Sequence, residues 1–432
     1  MGKNRRGAAG WASLLLLASC GGETAARSGP GAPGDAAGGS GGSGGSDASA
    51  EAGSDTGGDA PSSTQRRFRK ITLSQEFLCE GATYGDFDHD GVIDVVAGPY
   101  WYRGPDFQQR TELYPPQPFD PKFYSDNFFA WVRDFSGDGW DDVLVVGFPG
   151  QEAAWLENPR EQGGPWPRHV VWRSVNDESP AFTDLTGDGR PELVFADYGQ
   201  LGWTEPESAT PTTLTFHALT PDVGFGAYSH GLGVGDVNGD GRPDVLEATG
   251  YWLQPAVLGV NIWEKREARF GDGGAQMFAT DVDGDGDNDV VTTISAHHEG
   301  LSWFEQRQGP PLVFTEHVIV PAVPATSGVI LHEPHALALH DMNGDGLEDL
   351  VTGERFWGHA PDGGSFDEPG RLYWFELRRS PTVEYVPHLV DEASGVGTQV
   401  VAGDVTADGL PDIVVANKKG TFVFVQEIVE GT

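Results

Sequence analysis

A nine-residue acidic pattern occurs seven times in this chain and limits its fold more than any other feature. The copies read DFDHDGVID (residues 86–94), DFSGDGWDD (134–142), DLTGDGRPE (184–192), DVNGDGRPD (236–244), DVDGDGDND (281–289), DMNGDGLED (341–349) and DVTADGLPD (404–412). Their first aspartates stand 48, 50, 52, 45, 60 and 63 residues apart. Repetition at this period marks units that cannot bury an apolar face alone and must pack against one another. A length of 432 residues would otherwise allow two or three domains. The repeat argues for one large one.

The spacing inside the pattern carries chemistry. Oxygen-bearing side chains at positions 1, 3, 5 and 9 converge on one hard cation when the loop turns tightly, and the carbonyl of position 7 can join them. The predicted ligands are Asp86, Asp88, Asp90 and Asp94; Asp134, Ser136, Asp138 and Asp142; Asp184, Thr186, Asp188 and Glu192; and Asp236, Asn238, Asp240 and Asp244. The remaining loops supply Asp281, Asp283, Asp285 and Asp289; Asp341, Asn343, Asp345 and Asp349; and Asp404, Thr406, Asp408 and Asp412. All-oxygen ligation favours Ca²⁺ over Mg²⁺ and over thiophilic metals, so up to seven structural calcium ions are expected. Loops with Ser136, Thr186 or Thr406 at position 3 should bind more weakly. Position 6 is glycine in every copy, as a turn with positive φ requires. These are not EF-hands, which need a glutamate at position 12 and flanking helices.

The flanks read as strands. Asp94-Val95-Val96-Ala97 follows one loop and Asp412-Ile413-Val414-Val415-Ala416 another, and a third strand often carries Trp-x-Glu, as at Trp155, Trp203, Trp303 and Trp374. A fourth strand follows, for example His169-Val170-Val171-Trp172. Four strands per unit predict an all-β, seven-bladed β-propeller over residues 68–432, with an acidic loop between the first two strands of each blade. The tryptophans suit packing between blades. The stretch 68–73 is expected to close the ring by adding a strand to the last blade, which removes an exposed edge.

Residues 1–67 have another character. Lys3, Arg5 and Arg6 precede an apolar run that is too short to span a membrane, as in a secretory signal. It ends in Leu17-Ala18-Ser19-Cys20, which resembles the lipobox of bacterial lipoproteins. That resemblance implies a signal peptide over residues 1–19, lipidation of Cys20, attachment to membrane through the lipid only, and a place in the bacterial cell envelope at the outer membrane. Residues 21–67 contain no Leu, Ile, Val, Met, Phe, Trp or Tyr, so the linker 20–67 is expected to be a disordered tether. With 65 acidic against 27 basic residues the net charge is −38, which repels phosphate backbones and excludes a nucleic-acid partner. Two cysteines make no disulfide framework, and Cys79 reads as a small buried side chain.

Over about 365 residues the repeats resemble the FG-GAP and VCBS repeats of calcium-binding propellers, including the head of integrin α-subunits. Four stretches are similar to the propeller domain of aldos-2-ulose dehydratase: SHGLGVGDVNGDGRPDVLEATGYW (229–252), AQMFATDVDGDGDNDVV (275–291), HALALHDMNGDGLEDLVTGERFW (335–357) and SGVGTQVVAGDV (394–405). The resemblance implies elimination of water from oxidised sugars. The chain holds no cupin, so a cupin-linked isomerase step is not expected, and no catalytic residue is carried over.

The loops should share one face, which leaves the opposite face for function. Five to seven residues before each first aspartate stand Glu80, Asn127, Glu178, His230, Gln276, His335 and Gln399, a predicted polar ring around the channel. Exits from the second strands add Tyr100, Trp101, Asp197, His297, His298, Glu354, Arg355, Trp357, Asn417, Lys418 and Lys419, the last two among only six lysines in the chain. The candidate catalytic residues are His230, His335, Glu178, His297, Glu354 and Lys418. Imidazole, carboxylate and ammonium groups beside aromatic rings can bind a polyol and supply a base and an electrophile for β-elimination next to a carbonyl. Polar, water-linked side chains also line propeller channels without catalysis. His332 and His335 form HxxH on an extended segment, a poor frame for zinc. Two functions follow: a carbohydrate-directed protein, with sugar lyase chemistry, or a non-enzymatic surface module that binds protein or glycan.

Overall fold

Short runs of Val, Leu, Ile and Phe on either side of each acidic loop fold as antiparallel strands. The computed structural model describes residues 64–206, 213–259, 262–307, 309, 311–322, 328–358 and 369–430. The leader, Cys20 and the linker expected over 20–67, apart from its last four residues, lie outside the described residues. Pro61–Thr432 form one unit. Among the described residues there is no α-helix, only a 3-10 turn at Arg160–Gln162.

The innermost strands are Ala82–Gly85, Phe129–Arg133, Ala181–Thr183, Leu232–Gly235, Gln276–Thr280, Leu337–His340 and Val400–Gly403. Each leads through its loop into a second strand that begins at position 9: Asp94–Ala97, Asp142–Val146, Glu192–Asp197, Asp244–Glu247, Asp289–Thr293, Asp349–Gly353 and Asp412–Asn417. Position 9 pairs with the last residue of the inner strand, as in Gly85 with Asp94 and Gly403 with Asp412. Almost every residue of the second strands is buried, which explains their unbroken apolar runs. Fourth strands lie at the rim, and Gln109–Glu112 is exposed throughout.

Sheet organisation differs from the expected seven separate blades. Five blades stand as separate four-stranded sheets. The strands of the fourth and fifth repeats instead form a single eight-stranded sheet, because Leu232 and Gly233 pair in parallel with Gln276 and Met277. Glycine permits this contact. A Cβ on Gly233 would overlap the Met277 carbonyl oxygen, so only a residue without a side chain lets the two backbones meet. The N-terminal strand Thr64–Ser74 pairs with Gly420–Glu430 and completes the last sheet, starting four residues before the expected Phe68.

The loops have a shared conformation. Position 6 has positive φ in all seven, from 83° at Gly91 to 96° at Gly286. Position 4 is left-handed as well: five glycines there are joined by His89 (φ 58°) and Ala407 (φ 58°). His89 stacks on Trp140 with ring centroids 4.0 Å apart, whereas the Ala407 methyl has no ring to stack on. The Trp-x-Glu tryptophans are buried and each stacks on a histidine of the fourth strand that also meets the motif's glutamate, as in Trp155, His169 and Glu157.

Two substitutions test this backbone reading. Ala407→Gly should raise the unfolding free energy by about 1 kcal/mol, since only glycine adopts this φ without strain. Gly233→Ala should lower it by more than about 2 kcal/mol. Thermal and urea melts report both, and opposite signs contradict the assignment.

Candidate functional site

The face opposite the loops gathers side chains from segments that lead into the inner strands and out of the second strands. His230 lies two residues ahead of Leu232–Gly235, His335 two ahead of Leu337–His340, and His297 four beyond Asp289–Thr293. Their rings meet: centroids are 4.6 Å apart for His230 and His297, and 5.5 Å for either with His335. One nitrogen from each lies within 4.8 Å of the others. Glu178, from the third repeat, places Oε2 3.7 Å from His230 Nε2. The His335 Nδ1–H donates to the Glu333 carbonyl at 2.8 Å, which fixes the tautomer and puts the lone pair on Nε2.

Three imidazoles form a donor set that suits a borderline dication such as Zn²⁺ better than calcium, with the Glu178 carboxylate beside it. Ligands about 2 Å from a shared ion stand within about 4 Å of each other, so a small movement of the rings closes the trio on one ion. His332 takes no part in it. It pairs with Glu299 at 3.2 Å, so the HxxH residues point to different partners.

Beside the trio lies a buried charged group. Arg355 donates Nη2 to Glu80 Oε1 at 2.5 Å, with both side chains 1% exposed. Lys418 donates to the Trp357 carbonyl at 2.7 Å and sits 4.5 Å above the centre of the Tyr124 ring. Burial pushes the Lys418 ammonium down to about 8, opposed by the Glu80 charge. Tyr124 donates its hydroxyl to the Gly358 carbonyl at 3.2 Å. Glu333 and Trp357 hold φ of 48° and 50°, backbone strain of the kind that collects at binding sites. From Tyr124 an aromatic path runs outward through Phe148, at 4.9 Å, to Tyr228, at 5.8 Å and 49% exposed.

The predicted ring is only partly brought together. Glu178, His230 and His335 meet as described, and Glu80 pairs with Arg355. Gln399 instead accepts from the Ala130 N–H and donates to its carbonyl, both at 2.9 Å, and Gln276 reaches Thr398 and Leu337 in the same way. These glutamines brace inner strands across the middle. Asn127 lends its carbonyl to the Glu80 N–H. Glu354 turns to Arg371, accepting from its N–H at 2.8 Å; Asn417 holds the Ser394 carbonyl and Lys419 the Pro369 carbonyl. Tyr124, Phe148, Tyr228 and Glu333 escaped sequence reasoning, because none falls at the offset that marked the ring. Cys79 is buried, and desolvation with the Glu80 charge pushes its thiol far up, so it is no nucleophile.

The acidic loops fit a hard cation to different degrees. Carboxylate oxygens come within 4.8 Å of one another in the sets Asp86, Asp88 and Asp90; Asp184, Asp188 and Glu192; and Asp281, Asp283 and Asp285. In the first set Arg103 lies 2.8 Å from Asp88 and 2.7 Å from Asp90, so the cluster already draws a positive charge. Position 1 caps its own turn, as where Asp134 accepts the N–H groups of Asp138 and Gly139. Position 9 is buried. Desolvation pushes Asp94, Asp142, Asp289 and Asp412 up to about 6, and Asp244 and Asp349 up to about 7, against the downward pull of backbone N–H bonds.

Residues 134–195, 184–247, 281–352 and 341–415 each match an FG-GAP-like repeat, and the matched spans together cover more than half of the chain. No curated protein is significantly similar to it in sequence. Among solved structures, an auxiliary nutrient binding protein from Bacteroides ovatus ATCC 8483 is similar at 11% identity, over 70% of this chain and 70% of that chain, with a TM-score of 0.43.

The raised position-9 carboxyls set a pH dependence. A carboxyl whose folded pKa exceeds its unfolded value contributes stability at low pH that is lost as pH rises through the folded pKa, here about 6 to 7. Carboxyls held down by arginine, such as Asp90 and Asp188, are ionised in both states across this window. With EDTA present, the melting temperature should therefore fall between pH 5 and pH 8, and excess Ca²⁺ at pH 8 should raise it again. Identical midpoints with chelator and with Ca²⁺ at pH 8 contradict calcium in the loops.

Proposed function

The chain belongs to the FG-GAP-like repeat family, and from that premise we propose a calcium-stiffened β-propeller that binds carbohydrate on the face opposite its acidic loops and eliminates water from an oxidised sugar there. The observation that carries this reading is the convergence of His230, His297 and His335 beside Glu178, with a path of aromatic rings leading to it. Aromatic faces stack on sugar C–H groups, while convergent polar groups fix orientation. In the envelope reading, Cys20 carries the lipid anchor and the linker holds the propeller away from the membrane.

A dication on the three imidazoles would polarise a sugar carbonyl and so acidify the adjacent C–H. Glu178 then takes the proton from that carbon. The electron pair forms the new C=C bond, the C–O bond at the β-carbon breaks, and the hydroxyl leaves as water with the proton that Glu178 took. The balance is sugar to enone plus water, and Glu178 ends ionised as it began. Tyr124, under the Lys418 ammonium, holds that cation in place beside the site.

The test is the appearance of enone absorbance when purified protein meets 1,5-anhydrofructose or a 3-keto sugar. Glu178→Gln and His335→Ala should lower the rate at least about 100-fold, the usual worth of a positioned acid–base group. Unchanged rates in both remove the assignment. Sugar binding without enone formation by the wild type leaves a binding module and removes the lyase.

A further inference from the structure

Arg355 and Lys418 are cations whose donors the described residues do not use up. The Arg355 side chain is 1% exposed, yet only Nη2 has a carboxylate partner; Nε and Nη1 have no hydrogen-bond acceptor among the described residues. Lys418 is 5% exposed, and its ammonium meets one carbonyl and the face of one ring, with no carboxylate in ion-pair contact among the described residues. In a chain with 65 acidic residues this is unusual. Arg67, Lys70, Arg103, Lys265 and Arg378, all far more exposed, each have a carboxylate partner. Buried cations are unfavourable unless an anion or several acceptors compensate them.

Both cations face the same ring. Arg355 lies 5.7 Å and Lys418 4.5 Å from the centre of Tyr124, the residue at which the aromatic path enters the site. The carboxylates of Glu80, Glu178 and Glu333 act on Lys418 from farther off. A ligand there is therefore selected by the open donors, not by a uniformly positive wall.

We propose that Arg355 and Lys418 form an anion-recognition subsite, so that the site takes sugars bearing a carboxylate or a phosphate ester in preference to neutral sugars. This rests on the carbohydrate reading of the site and narrows its ligand class. Charge-assisted hydrogen bonds from guanidinium and ammonium to such oxygens are shorter and stronger than those to a sugar hydroxyl.

Calorimetric titration of the purified protein tests it, with Ca²⁺ and Zn²⁺ present and ionic strength held constant. The probes are glucose, galactose and mannose, their uronates and their 6-phosphates. At least one acidic sugar should bind 10-fold or more tighter than its neutral parent; a uronate preference identifies the carboxylate, a 6-phosphate preference the phosphate. Arg355→Gln and Lys418→Gln should each bring that ratio below about 3-fold. If a variant fails to fold, the ratios measured on the wild type still decide. Equal affinity for acidic and neutral sugars overturns the subsite and leaves the carbohydrate reading intact. Binding of none of the probes removes both.

Discussion

In six of the seven repeats the ninth-position aspartate of the acidic loop reaches from the loop to the third strand or the residues just past it. One oxygen accepts the N–H of position 2 and the other an N–H beyond the loop, as where Asp349 takes Met342 at 2.9 Å and Leu377 at 2.8 Å. The same position-2 residue gives its carbonyl to a side chain of a neighbouring blade: Phe87 to Asn158, Leu185 to Gln254, Val282 to Arg379 and Met342 to Gln426. The N–H and the C=O of one buried residue are thus satisfied, the first by its own blade and the second by the next. Leaving either group unmade in the core costs more than forming it gains, so the loops fasten blade to blade. The third repeat shows the rule by departing from it. Its third strand ends in Pro206, which has no N–H to give, and position 9 is there Glu192, which takes the N–H groups of Leu185 and Thr186 instead.

A frame fastened along one face leaves the other free to vary. Inner strands that all run toward the loops begin on the opposite face, so successive repeats deliver their leading residues to one place. Glu80, Glu178, His230 and His335 arrive in this way, and the second strands, returning, add His297, Arg355 and Lys418. The loop face is built on carboxylates, whereas the other sets imidazoles, two buried cations and aromatic rings among its glutamates. That division keeps the carboxylate-rich loops apart from the mixed donor set of the opposite face.

The loops and strands were legible because their signals are local: a glycine at fixed offset and an apolar run beside it. His230 and His335 were legible from their equivalent positions in two repeats. What was not legible depends on partners far apart in sequence. Nothing near Gln276 or Gln399 tells that they clamp strands of other blades instead of lining the channel, and nothing near Glu354 names Arg371. The fusion of the fourth and fifth repeats turns on Gly233 meeting Met277, a contact between strands that the repeat pattern treats as equivalent to all others. Tyr124 and Glu333 enter the site through irregular segments, where no period applies.

Amide hydrogen exchange on the Asp349→Ala variant tests the central role of the ninth-position carboxylate most directly. The account predicts that the Met342 and Leu377 amides, slow in the wild type, exchange at least about 10-fold faster in the variant, since both lose their acceptor together. Protection that is unchanged at both amides would contradict it.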